Sequence, residues 1–353
     1  MVNNWNKTFP KIAGRRYLDS LSSGDAAANK LIEEFEERCS SYYGRHCAFV
    51  NSGTSALLIA LLLCKEAGGH SLAVQDRSWI ANLNVAAILG YRVNFVDVLA
   101  DAPVADWSQL EGSEFNSPGV VTQLIHISGF ICPRPKQAST IIEDFSQANV
   151  LTEKCQYIGK LGLYSVASLG ITKALSSIHG GIFLSDDLNQ TRLARRIARN
   201  GVENNLVETW GALGLNFKPN PFSASIGIYE LGRIESVIAS IAEVAEHYEL
   251  ALKKLGLSVY GFNSKRRAFP LYVELKCSFA RELCSYLNSI GIQSKLAPPP
   301  LSSADYFPSS YTEGSRSKEF HNTVVILPSG PDIRAAEIRK VASGIEKFLD
   351  SIR

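Results

Sequence analysis

The amino-acid sequence predicts an α/β protein: a large domain with a mostly parallel seven-stranded sheet between helices, then a smaller C-terminal α+β domain. Three observations predict it. Short, continuously apolar runs alternate with helical patterns through the first two-thirds of the chain, as strands covered by helices on both faces require. From about Pro221 this alternation gives way to a long helix and then to mixed strands and helices. A chain of 353 residues, 46% of them hydrophobic, buries a large core and is long enough to divide in two. The expected division is 1–235 and 236–353.

Taken in order, the first clear helix is Ala27 to Tyr43, with Leu31, Ile32, Phe35 and Cys39 on one face and Gly44 as its stop. The expected strands are Cys47 to Val50, Ser71 to Val74, Val93 to Val96, Val120 to Ile127, Thr140 to Ile142, Leu163 to Val166 and Ile182 to Leu184. Ala56 to Cys64 is the longest apolar run, far short of the about 20 residues that a bilayer demands, and reads as a buried helix. Pro221 to Leu255 reads as one nearly uninterrupted helix, with Ile226, Ile228, Leu231, Ile234 and Ile238 at helical spacing. Strands follow at Leu257 to Tyr260 and Phe269 to Leu275, a helix near Ala280 to Leu287, a strand at Thr323 to Leu327 and a last helix from Ala335. The Pro-, Ser- and Tyr-rich stretch from Ala297 to Lys318 reads as a long loop.

Composition excludes several classes. A formal net charge of +2 gives no electrostatic reason for nucleic acid or a membrane surface as partner. The first residues, Met1 to Lys7, lack the apolar core of a secretory signal. Seven cysteines, odd in number and without a Cys-x-x-Cys pair, read as reduced cytosolic thiols and offer no ligand spacing for a metal.

Three segments carry candidate chemistry, each beside an ordinary structural reading. Asn51-Ser52-Gly53-Thr54-Ser55-Ala56 lies between a strand and an apolar helix, where free N–H groups favour a phosphate; taken alone, a Ser cap on a buried helix is the more ordinary reading. Ile141-Ile142-Glu143-Asp144 puts two acids at the carboxyl end of a strand, the edge where open parallel sheets bind ligands. An Asp there suits a protonated heterocyclic nitrogen, while a solvated strand end is the plain alternative. Ser168 to Lys173 leads to Gly180-Gly181, and a lysine held in such a small, polar loop suits Schiff-base chemistry, although most lysines after strands are surface residues. Trp79 suits stacking on a flat ring, or a place in the core.

In order and spacing these segments resemble the DegT/StrS family of pyridoxal-5′-phosphate (PLP)-dependent sugar aminotransferases, from about Gly24 to the C-terminus. The carriers are Tyr43-Gly44-Arg45-His46-Cys47-Ala48 leading into Ser52-Gly53-Thr54, Trp79 before Asn82-Leu83-Asn84, and Phe95-Val96-Asp97. Further on come His126-Ile127-Ser128-Gly129, Glu143-Asp144 with Gln147, Ser168 with Lys173, Gly214-Leu215-Asn216-Phe217, and Val325-Ile326-Leu327-Pro328. The resemblance implies a fold type I enzyme that transfers an amino group from an amino acid, L-glutamate, to a keto-sugar, nucleotide-linked, in amino-sugar biosynthesis. Lys173 would hold PLP as a Schiff base and move the Cα proton, and Asp144 would pair with the pyridinium nitrogen. Trp79 would stack on the ring and Gln147 approach its phenolic oxygen. Gly53, Thr54, Ser55 and the Ser168 hydroxyl would bind the phosphate. Asn216 would reach the partner's phosphate across the interface of a homodimer with shared active sites.

The chain departs from that family at substrate-side positions. Ile178-His179 stands where the family has Gly-Glu, Lys218 where it has Arg, and Ser128 where it has Tyr; the segment between Gly129 and Ile141 is too short for a helix normally found there. Two other readings therefore stay open: a catalytically silent or regulatory PLP-binding homologue, and a PLP-dependent sugar dehydratase. Related dehydratases replace the lysine with His or add a cysteine-ligated iron–sulfur cluster, whereas this chain has Lys173 and no clustered cysteines.

Overall fold

Apolar runs bounded by turn residues become strands, and the structure orders them into one dominant sheet. A computed structural model of the chain describes residues 1–21, 25–110, 117–138, 140–202, 212–307 and 315–353. Its strands β1 (His46–Val50), β2 (Ser71–Gln75), β3 (Arg92–Val96), β4 (Val120–Ile125), β5 (Thr140–Asp144), β6 (Tyr164–Ser168) and β7 (Gly181–Ser185) form a seven-stranded sheet in the order β1-β7-β6-β5-β4-β2-β3. Pairings among β2 to β6 are parallel, and β7 runs antiparallel between β6 and β1. Each strand coincides with an expected apolar run. β4 is buried at every residue, as a central strand covered on both faces must be.

Among the helices, α1 (Lys11–Leu21), which apolar spacing does not announce, and α2 (Asp25–Tyr43) precede β1. Next come α3 (Gly53–Glu66), α4 (Ala81–Ile88) and α5 (Leu188–Ala198). α3 packs its Ala56, Leu57 and Ile59 to Cys64 into the sheet's core, so the longest apolar run is a buried helix. The expected long helix is two: α6 (Pro221–Gly232) and α7 (Ile234–Lys253). They break at Arg233, whose backbone leaves helical geometry and whose N–H turns back to Glu230 and Leu231 carbonyls, next to the weak helix former Gly232.

The second sheet joins β8 (Val273–Lys276), β9 (Lys295–Leu296) and β10 (Val324–Leu327) in the antiparallel order β8-β10-β9. Helices α8 (Ala280–Ser289), α9 (Arg316–Thr323) and α10 (Ala335–Ile352) accompany it. Leu257 to Tyr260 is not a strand, because the Leu257 and Val259 N–H groups go to the end of α7, to the Leu252 carbonyl and the Glu249 carboxylate, while the Tyr260 N–H goes to the Glu274 carbonyl of β8. Of Phe269 to Leu275 only the end joins a ladder. The expected loop from Ala297 is shorter than read, since Ser315 caps α9, and its residues 308–314 lie outside the described ones. Residues 131–138 form no helix.

The expected division at 235/236 falls in the first turn of α7. Ile234, Val237 and Ile241 of that helix pack with the large sheet's core, whereas Val244, Tyr248 and Leu252 pack with the small sheet's. The chain's start also reaches the small sheet, with Val2 bridged to Ile292 and Trp5 to Ser329. Among the described residues no helix is long and apolar enough to cross a membrane.

Candidate active site

β1, β2, β4, β5 and β6 all deliver their carboxyl ends to one edge of the large sheet, and β7 starts there. A cavity of about 690 Å³ opens at that edge, closed on the far side by the small sheet through Glu274, Lys295, Leu296 and Ile326. This is where open α/β sheets bind ligands.

The β1–α3 turn builds one wall. Ser52 caps α3, its hydroxyl accepting the Ser55 N–H at 3.1 Å. The first N–H groups of a helix have no intrahelical acceptor and carry the positive end of its dipole. Ser52, Gly53 and Thr54 line the cavity at this point. A Cβ on Gly53 would lie 2.7 Å from both the Cα and the Cβ of Ser168, so only glycine lets this turn close against β6. Ser55 stays out of the wall: its N–H is held by the cap, and its hydroxyl donates to Asn51 Oδ1 at 2.6 Å.

At the end of β5 the paired acids separate. Glu143 is completely buried and accepts from the Gly159 N–H (3.0 Å), the Leu161 N–H (2.9 Å) and the Ser165 hydroxyl (2.7 Å). His126 Nε2 stands 3.2 Å from the same carboxylate. Because His126 Nδ1 accepts the Cys132 N–H at 3.0 Å, its proton is on Nε2 and points at Glu143. Burial pushes the Glu143 pKa up, but the hydrogen bonds from His126, Ser165 and Gly159 outweigh it and hold the carboxyl below its ordinary value. Asp144, the next residue and so on the opposite face of the strand, lines the cavity and takes only the Ser146 N–H, at 3.0 Å.

Gln147 also lines the cavity. Its carbonyl oxygen accepts the Ser128 N–H at 2.9 Å, so the amide NH₂ is its remaining polar group. Gly129 sits at φ 81°, where a Cβ would strike the Phe269 carbonyl oxygen. Trp79, 60% exposed, stands over the cavity and is not a core residue.

Lys173 lies in the loop between β6 and β7. The loop is pinned by Ser177 N–H to the Leu169 carbonyl (2.9 Å) and by Asn149, which bonds both N–H and carbonyl of Leu175. Lys7, from the chain's start, donates to the Ala174 carbonyl at 2.7 Å. The Lys173 side chain lines the cavity, and among the described residues no carboxylate pairs with it. Ser168 lines it too. Beyond Lys173, Ile178 adopts φ 68°, a left-handed conformation that costs a β-branched residue on the order of 1–3 kcal/mol. Ile178 and His179 both reach the cavity.

Lys173, Asp144, Gln147, Trp79, Ser168, Gly53 and Thr54 therefore share one cavity, and Ser55 and Asn216 do not line it. Asn216 is exposed and bridged to Arg199. Sequence reasoning did not single out Lys7, Asn149, Arg77 or Glu274. A charge inside an apolar run was the available signal for Glu274, and a charge directly after an apolar strand the signal for Arg77.

The residues present fit PLP. Gly53, Thr54 and Ser168 form a neutral, N–H-rich cradle too tight for any side chain at Gly53, Asp144 is a carboxylate on the cavity wall, and Lys173 is an amine without a carboxylate partner among the described residues. When bound, PLP supplies an aldehyde that links covalently to an amine and a protonated ring that withdraws electrons.

Comparison with known proteins agrees. The DegT/DnrJ/EryC1/StrS aminotransferase family model matches residues 14–346. A GDP-perosamine synthase of Caulobacter vibrioides is 23% identical over 340 residues, covering 92% of this chain and 91% of that protein. The crystal structure of the aminotransferase TlmJ from Streptoalloteichus hindustanus superposes with a TM-score of 0.85 at 18% identity, over 100% of both chains. A GDP-4-keto-6-deoxy-D-mannose-3-dehydratase from E. coli with bound hydrated PLP superposes with a TM-score of 0.81 at 18% identity, over 98% of this chain and 99% of that one. The chain belongs to the DegT/DnrJ/EryC1/StrS aminotransferase family, and is a PLP-dependent aminotransferase by that membership.

Proposed function

We propose that this aminotransferase moves an amino group from L-glutamate to a keto-sugar carried on a nucleotide, with Lys173 as the covalent anchor of PLP and as the base that moves the substrate Cα proton. The observation that carries the reading is a lysine that shares its cavity with Asp144 and has no carboxylate partner among the described residues. An amine without a carboxylate partner is available for attack and for proton transfer once deprotonated. Asp144, on the wall of a largely enclosed site, holds the ring nitrogen protonated; Gln147 offers its NH₂ to the phenolic oxygen. Trp79 covers the ring face. The N–H groups of Gly53 and Thr54, with the Ser168 hydroxyl, take the phosphate. Ser55 acts indirectly, by fixing the Ser52–Asn51 turn. Asn216 completes the partner's site in a homodimer, which agrees with its exposure and its distance in function from this chain's own cavity.

The test is the absorbance of the PLP-loaded protein on addition of L-glutamate, followed by a screen of nucleotide-linked keto-sugars. A spectral change on glutamate in the wild type, absent in Lys173→Ala, is the expected result. An inert wild-type spectrum with every amino acid tried favours the catalytically silent homologue instead. Release of water from the keto-sugar precursor without amination would favour the dehydratase.

A further inference from the structure

The cavity wall contributed by the end of β2 and by β8 holds an arrangement that the cofactor does not use. Arg77, 2% exposed, lines the cavity between β2 and Trp79. Its Nη2 stands 3.2 Å from Glu274 Oε1, and Phe320 stacks on the guanidinium at 4.9 Å. Among the described residues its Nε and Nη1 meet no acceptor. A buried guanidinium with unmet N–H groups is costly unless an oxygen comes to them.

Glu274 has neighbours besides Arg77, although its Oε2 accepts no hydrogen bond among the described residues. Its Oε1 also accepts the Ser128 hydroxyl at 2.9 Å, and its Oε2 faces the Arg267 guanidinium at 3.9 Å. Arg267 is spent on carbonyls: Ser128 (3.1 Å), Tyr260 (2.7 Å) and Tyr272 (2.5 Å). Two guanidiniums thus face one carboxylate, and the surplus charge is Arg77's, at the cavity. Lys295 lines the same cavity. Arg77 is flat, permanently charged and clamped by Phe320, the form of cation that suits a planar oxyanion.

We propose that Arg77 is a specificity-determining residue that binds a carboxylate of the substrate, with Glu274 and Ser128 holding its guanidinium in place. This rests on the aminotransferase reading of the cavity and names a chemical feature of what enters it. The carboxylate belongs either to the amino donor or to an acidic sugar.

Calorimetry on the PLP-loaded protein tests it without turnover. The probes are glutarate, which has the donor's two carboxylates and no amine, and glucuronate, with glutaric diamide and glucose as their neutral counterparts. The expected result is that one acid binds, its neutral counterpart binds at least about tenfold more weakly, and the Arg77→Met/Glu274→Gln double variant loses about thirtyfold or more for that acid. Which acid responds identifies the source. Arg77→Lys keeps a charge opposite Glu274 and guards against a folding defect: weaker binding of the acid at unchanged melting temperature supports the role, and unchanged binding overturns it. Neutral and acidic probes binding alike, or neither acid binding the wild type, overturns it as well. Because no step depends on amino transfer, carboxylate binding that requires Arg77 stands even if the protein proves not to transaminate glutamate.

Discussion

Lys7 Nζ lies 2.5 Å from Glu230 Oε2, and both side chains are fully excluded from solvent. The same ammonium donates to the Ala174 carbonyl, so a residue near the chain's start ties α6 to the loop that carries Lys173. Burial lowers the Lys7 pKa against the opposing pull of Glu230. Lys7→Met leaves Glu230 buried with only Arg233 nearby, at 3.5 Å. The expected cost is about 3–5 kcal/mol of stability, measured by chemical denaturation. Amide exchange in residues 169–177 should accelerate in the same variant, and unchanged exchange there would mean that the strap does not hold the loop.

Asp144→Asn should retain PLP and slow amino transfer by on the order of a hundredfold or more. An amide does not stabilise a protonated ring nitrogen through charge. Single-turnover rates with glutamate check this, and near-normal turnover contradicts the role given to Asp144.

Glu143 governs acid stability. Its folded-state pKa is held below the ordinary value, so the unfolded chain binds the proton more tightly. The stabilisation is therefore complete above the ordinary glutamate range and is lost as pH falls through that range to the depressed folded value. Urea midpoints measured from pH 7 to pH 3 should drop for the wild type. In Glu143→Gln they should start lower, since an amide cannot accept from all four donors, and vary less with acid.

Shared sites in a homodimer predict complementation. Lys173→Ala and Asn216→Ala are each expected to be inactive, and mixing them should restore part of the activity, because some heterodimers regain one intact site. No recovery after verified subunit exchange, or a monomer by light scattering, would show each chain to be self-sufficient.

The large sheet was legible because every strand is an apolar run ended by turn residues, a signal carried within a few neighbours. Lys173, Asp144 and the Ser52–Gly53 turn were singled out by their order and spacing along the chain, since each alone has an ordinary structural reading. What stayed hidden depends on partners distant in sequence. The burial of Glu143 among His126, Gly159 and Ser165 was not legible, and Arg77 meets Glu274 across 197 positions. The removal of Ser55 from the wall turns on one capping bond. The break at Arg233 and the loss of the expected strand at Leu257 to Tyr260 reflect hydrogen bonds that helix ends demand, which apolar periodicity does not report.

Ser168 stands directly opposite Gly181 in the β6–β7 register, so the loop bearing Lys173 leaves and rejoins the sheet at a single point. A parallel crossover must span the sheet, and a change in its length disturbs the elements it joins. This loop is free of that spanning constraint: residues between 169 and 180 begin and end at one place on the sheet, while Leu169, Ala174 and Leu175 anchor them in its core. Ile178 and His179, which reach the cavity, lie within that segment. The rim of the pocket next to Lys173 is thus carried by a segment whose two ends share one point of the sheet.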